Sequence, residues 1–136
     1  FSGLAVCSDI GAKHDVHPTN KKAVGERLAR WALYKTYAVD TVPSGPLPRI
    51  AIPEKGKLVI EFLYSDKGIS TADGKALKGF SLDGKTDCPA YIENNQVIIP
   101  LTFIPRYVYY GWKPFSHGNL INSEGLPAST FKIKVQ

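Results

Sequence analysis

The sequence predicts an α+β protein, with one strand near residues 4–10, one long helix near 20–37, and about six or seven strands beyond residue 48 forming an antiparallel β-sandwich. Three observations carry this reading. An apolar run, LAVCSDI, stands at Leu4–Ile10; a single stretch of helical period follows it; and from about Pro48 onward short β-like runs alternate with turn dipeptides.

The Leu4–Ile10 run suits a buried strand of an α/β sheet, with Asp9 near its end and Gly11 just after. A polar loop then leads to Asn20. From there Val24, Leu28, Trp31 and Ala32 recur at helical spacing, with Glu26, Arg27 and Arg30 toward the other side. Thr19 or Asn20 is placed to cap the helix by accepting free N–H groups of its first turn. Pro18 disfavours a helical conformation at His17, which keeps that imidazole on the loop. Thr41–Pro48 holds three prolines and a glycine in eight residues and reads as a linker or edge connection. The expected strands beyond it are Lys57–Tyr64, Gly79–Leu82, Ala90–Glu93, Gln96–Leu101, Tyr107–Trp112 and Thr130–Val135. Asn94-Asn95 is expected to join two of them as a tight hairpin. The division expected from this change of character is residues 1–40 and 41–136.

With 136 residues, 43% hydrophobic and 21% charged, the composition is globular and excludes disorder and collagen-like repeats. The +5 net charge is spread thinly, with lysines mostly at turns, which argues for a solvated surface and against a nucleic-acid partner. No apolar run approaches the roughly 20 residues of a membrane span, so a soluble chain is expected. Cys7 and Cys88 permit at most one disulfide. The chain starts at Phe1, contains no Met and carries no signal-like segment, which reads as a piece of a longer product.

The chemistry concentrates in Lys13–Lys22, where His14, Asp15 and His17 fall within four residues. A His held by a neighbouring Asp is suited to general-base work, because the carboxylate fixes the tautomer and stabilises the imidazolium. The plainer reading is a polar loop before a helix. His-x-x-His is also half a metal site, but His117 is the only other histidine and no Cys pair completes it, so neither metal nor cofactor is expected.

The string DVHPTNKKAVGERLA at Asp15–Ala29, read with Asp9 and Gly11, resembles the last catalytic block of the sialate O-acetylesterase family of SGNH hydrolases. Gly45-Pro46, the Gly68–Phe80 segment GISTADGKALKGF, and Asn119–Phe131 are similar to that family's carboxyl-terminal β-domain. The resemblance implies an esterase removing O-acetyl groups from sialic acids or related glycans with a Ser-His-Asp triad, secreted or periplasmic. It makes residues 1–40 the last strand, catalytic loop and helix of the hydrolase domain, and 41–136 the β-sandwich domain. His17 matches the catalytic base and Asp15 its acidic partner. The superfamily usually places that acid three residues before the His, where this chain has His14, so Asp9 stands as a second candidate. The Gly-Asp-Ser-like nucleophile block and the oxyanion donors match nothing in these residues. The chain is therefore expected to be a carboxyl-terminal portion, completed by the rest of the same protein or by a second chain, and inactive alone.

A reading from another class is a noncatalytic β-sandwich that binds carbohydrate or a protein. Tyr107, Tyr109, Tyr110, Trp112 and Phe115 are the residues it would use, against the simpler expectation that alternate residues of this strand fill a core.

Overall fold

A computed structural model describes residues 2–17 and 19–136; the chain start at Phe1 and the constraint assigned to Pro18 lie outside these. The described residues form one helix, α1 (Lys21–Lys35), and nine strands: β1 (Leu47–Glu54), β2 (Lys57–Leu63), β3 (Ile69–Thr71), β4 (Phe80–Ser81), β5 (Tyr91–Glu93), β6 (Gln96–Pro100), β7 (Tyr107–Tyr110), β8 (Leu120–Asn122) and β9 (Phe131–Lys134). The α+β class is as expected, and all strand pairs are antiparallel. Among the described residues no helix is long and apolar enough to cross a membrane.

The strands make a four-stranded sheet in the order β1-β2-β6-β5, a three-stranded sheet β4-β7-β9, and the pair β3-β8. The first two share one core. Ala51, Leu58, Ile60 and Phe62 of the larger sheet meet Phe80, Val108, Tyr110 and Phe131 of the smaller. Phe62 lies edge-on to Phe131 at 6.0 Å, and Phe80 lies 4.8 Å from Tyr110. Tyr110 is the one polar member. Its hydroxyl accepts the Leu120 N–H at 2.9 Å, and burial pushes the phenol up to about 12.

The strand expected at residues 4–10 is absent: residues 2–7 follow an irregular path and 8–10 turn. A strand exists only as a partner in a ladder, and no other strand among the described residues lies beside this run. Two further differences have local causes. The expected linker is irregular through Pro46, but its last two residues, Leu47 and Pro48, open the unexpected strand β1, whose Pro48 and Pro53 are tolerated because it is the edge of its sheet and pairs only with β2. β3 and β8 are three residues each, too short for an alternating pattern to register.

Turn chemistry was legible. Asn94 and Asn95 both take positive φ, 49° and 65°, and close the β5–β6 hairpin with Glu93 opposite Gln96. At the other end of the chain Asn20 caps α1, its side chain accepting the Ala23 N–H at 3.1 Å. β7 splits its aromatics by strand alternation, Val108 and Tyr110 inward, Tyr107 and Tyr109 outward.

The quoted similarity segments converge at one corner. β3 pairs with β8, the Gly68 carbonyl accepts the Ser123 N–H at 3.0 Å, and Gly45 lies so close to the Pro127 carbonyl that a Cβ there would collide. Asn119 holds the 73–78 turn, accepting from the Lys78 N–H and donating to Asp73 and Ala76. Its bond keeps the Asp73 carboxyl below the usual carboxylate range.

Candidate active site

The helix does not face the sheets with its expected stripe. Arg27 and Arg30, read as outward, point inward instead. Arg27 grips Asp9 through two bonds of 2.6 and 2.7 Å and donates to the Val6 carbonyl at 2.6 Å. Arg30 donates to the Val42 carbonyl at 3.0 Å and faces Glu124 at 3.5 Å. The physical reason is that α1 is covered by irregular chain rather than by a sheet. Such backbone presents carbonyls without ladder partners, and guanidinium groups satisfy them. The pairing with Asp9 holds the Arg27 guanidinium above its ordinary pKa.

Trp31 completes the attachment. Its indole N–H donates to the Leu4 carbonyl at 3.0 Å, and its ring covers the Gly3 backbone. On the other side it meets Tyr64 edge-on at 5.9 Å, and Tyr34 meets the same ring at 6.5 Å. Leu4, Ala5 and Val6 share a small cavity with Pro43, Gly45, Leu126 and Pro127. The segment before the His loop is thus held between α1 and the β-region.

The loop itself is a tight turn. Ile10 N–H returns to the Cys7 carbonyl at 3.2 Å, and Ala12 and Asp15 bridge across Lys13 and His14. Asp15 then organises His17 twice: its Oδ1 accepts the His17 backbone N–H at 2.8 Å and lies 3.3 Å from the ring Nδ1. The His17 side chain is 84% exposed and that of Asp15 56% exposed. With Nδ1 turned to the carboxylate, Nε2 is left free to face solvent. Of the residues singled out in the sequence, the structure brings together His17 and Asp15. Asp9 is committed to Arg27, and His14 sits exposed in the turn. Cys7 and Cys88 are both free thiols. Among the described residues no three His, Cys, Asp or Glu side chains gather as a metal site.

Arg27 went unrecognised as part of this arrangement, because a charged residue in a helical pattern reads as solvent-facing. Its spacing from Trp31, four residues along the helix, was the available signal. Replacing it with Met is expected to loosen residues 4–17 while leaving the β-core intact. Charged hydrogen bonds of this kind contribute about 1.5–3 kcal/mol each, so exchange of the Ile10 amide, which is bonded to the Cys7 carbonyl, should speed up at least about tenfold with little change in melting of the sheets. Unchanged exchange there would show that Arg27 does not hold the loop.

The opposite face of α1 is uncovered. Gly25, Leu28, Ala29, Ala32 and Leu33 lie on one side and are exposed, Leu28 by 51%. Leu28 and Ala32 thus fall on the open side of the expected stripe, while Val24 and Trp31 are half-buried.

No family model matches the chain, and no curated protein does. The chain is similar to the solved structure of a carbohydrate acetylesterase from Xanthomonas citri, at 34% identity and a TM-score of 0.81, over 93% of this chain and 31% of that one. The 136 residues thus correspond in fold to about a third of the length of that enzyme.

Proposed function

We propose that this chain is the carboxyl-terminal part of a carbohydrate O-acetylesterase of the SGNH type, acting on sialic acid or a related acetylated glycan, and that it supplies the base and acid of a Ser-His-Asp triad. The single observation that carries the reading is the His17–Asp15 pair, held on a turn that Arg27 and Trp31 fasten to the fold. The similarity to an acetylesterase over nearly the whole chain supports it.

In this mechanism His17 Nε2 takes the proton of a serine contributed by the remaining part of the protein, as the serine oxygen attacks the acetyl carbonyl. The resulting imidazolium is stabilised by Asp15 and then protonates the departing sugar oxygen, which leaves as the free hydroxyl and an acetyl-enzyme remains. Water, deprotonated by the same nitrogen, hydrolyses that ester and releases acetate. Asp15 fixes the tautomer with its Oδ1 and tethers the backbone of the same residue, so ring and main chain are oriented together.

The open face of α1 fits this division of labour. Small side chains at Gly25, Ala29 and Ala32 permit close approach of another element, and Leu28 and Leu33 supply apolar area. The proposed occupant is the rest of the same esterase, or a second chain in its place. The test compares acetate release from an acetylated oligosaccharide by the complete protein and by residues 1–136 alone. Turnover by the complete protein only is expected. Comparable turnover by the 136-residue chain would overturn the assignment of the nucleophile to the remaining part.

A further inference from the structure

A cavity of about 380 Å³ opens where β7 ends, its lining including Trp112, Lys113, Phe115, His117, Ser81 and Asp87. None of its described lining residues comes from 2–37. Its aromatic wall is part of a row. Trp112 lies 5.8 Å from Tyr109, and Tyr109 6.3 Å from Tyr107, along the outward face of β7. Lys132 lies over the faces of Tyr107 and Tyr109, at 4.3 and 5.6 Å. Trp112, by contrast, is 50% exposed at the mouth of the cavity.

This open indole is not loosely placed. The turn at Gly84 lies against both Tyr109 and Trp112. Asp83 fixes that turn by accepting the N–H groups of Lys85 and Thr86 at 2.7 and 2.8 Å, bonds that hold its carboxyl well below the usual range. In the same lining, Lys113 pairs with Asp87 at 2.7 Å, and the His117 ring stands edge-on to Phe115 at 5.0 Å. The pair restrains both side chains while leaving the second Asp87 oxygen and further Lys113 N–H groups unspent.

An apolar ligand would desolvate Asp87 and Lys113 without compensation. A simple anion would gain nothing from a fixed, flat indole. A ring with apolar C–H faces and a polar hydroxyl rim uses both the indole and the charged pair, and a pyranose with equatorial hydroxyls has that shape. We propose that this cavity binds a sugar residue of a glycan chain, stacked on Trp112 and hydrogen-bonded to Asp87, Lys113 and His117. The choice of a glycan deepens the esterase reading, but the binding itself needs no hydrolysis.

The test titrates the 136-residue chain with unacetylated cellohexaose and xylohexaose, following heat and the two indole N–H signals by NMR. Binding with a dissociation constant of about 1 mM or tighter, accompanied by movement of the Trp112 signal and not that of Trp31, is expected. Trp112→Ala should weaken it at least about tenfold, while Tyr91→Ala, which removes an exposed aromatic on β5, should leave it unchanged. Because the Trp112 signal is read on the unaltered chain, the outcome does not depend on the variant folding. Absence of binding for both sugars, binding that survives Trp112→Ala, or movement of Trp31 alone would each overturn the site. None of these results bears on whether the complete protein cleaves an acetyl ester, so the two readings fail separately.

Discussion

Replacing His17 with Ala in the complete protein is expected to lower kcat on an acetyl ester by a factor on the order of 10⁴–10⁶, with KM and melting temperature nearly unchanged. The size follows from the role. Removing the base of a serine triad forfeits the concerted effect of all its members and leaves only what substrate binding and oxyanion stabilisation supply. The small effect on stability follows from exposure, since the His17 side chain is 84% exposed. Asp15→Asn separates two contributions. The amide oxygen can still accept the His17 backbone N–H, so the turn should persist, but the imidazolium loses its counter-charge and the tautomer is no longer enforced. A loss of about 10⁴ in kcat is expected. His14→Ala, in the same turn but outside the pair, should be nearly silent. Steady-state kinetics with circular dichroism on the three variants checks the set, and near-normal kcat in His17→Ala removes the catalytic reading.

How far the sequence reached can be seen at particular residues. Where one residue type answers one local need, the sequence was legible: Asn94-Asn95 for a hairpin that requires two positive φ values, Asn20 for a helix cap. Where a segment's state depends on what lies beside it, the sequence misled. Leu4–Ile10 has the composition of a strand, yet a strand needs neighbours, and beside α1 the same residues become an irregular span clamped by arginine and tryptophan. β1 was hidden by prolines whose effect depends on whether the strand is central or at an edge, which no single-strand pattern records. The pair His17–Asp15 was legible because its members are two residues apart. The inward turn of Arg27 and Arg30 was not, because their partners Asp9 and Glu124 are distant in sequence.

The motifs that made the resemblance specific beyond the His loop prove to be architectural, and Asn122 is the clearest. It is 1% exposed, and its side chain makes four bonds: Nδ2 donates to the carbonyls of Ser44 and Tyr64 at 2.9 and 3.0 Å, and Oδ1 accepts the N–H groups of Glu124 and Leu126 at 3.2 and 3.1 Å. One amide therefore ties the chain entering β1, the end of β2 and the turn after β8. Only a side chain with two donors and a two-lone-pair acceptor in one plane satisfies all four.

Asn122→Ala should accordingly cost about 3–5 kcal/mol, since two carbonyls and at least one buried N–H lose partners at roughly 1–3 kcal/mol each. That is a large share of the stability of a typical domain, and the melting temperature should fall by roughly 10–20 °C. Asn122→Asp distinguishes hydrogen bonding from packing, because its volume is almost the same. An ionised carboxylate would set a charged oxygen against the Ser44 and Tyr64 carbonyls, whereas the protonated acid can donate to one of them. The carboxyl pKa in the folded state should therefore lie above its unfolded value of about 3.9. Protonation then favours the folded form, so the deficit of Asn122→Asp relative to the unaltered chain should be smallest at acidic pH and grow as pH rises through that folded pKa. Thermal melts of both variants between mildly acidic and mildly basic pH read this directly. A pH-independent deficit for Asn122→Asp, or a melting temperature for Asn122→Ala within a few degrees of the unaltered chain, would show that the corner is held by packing and not by this amide.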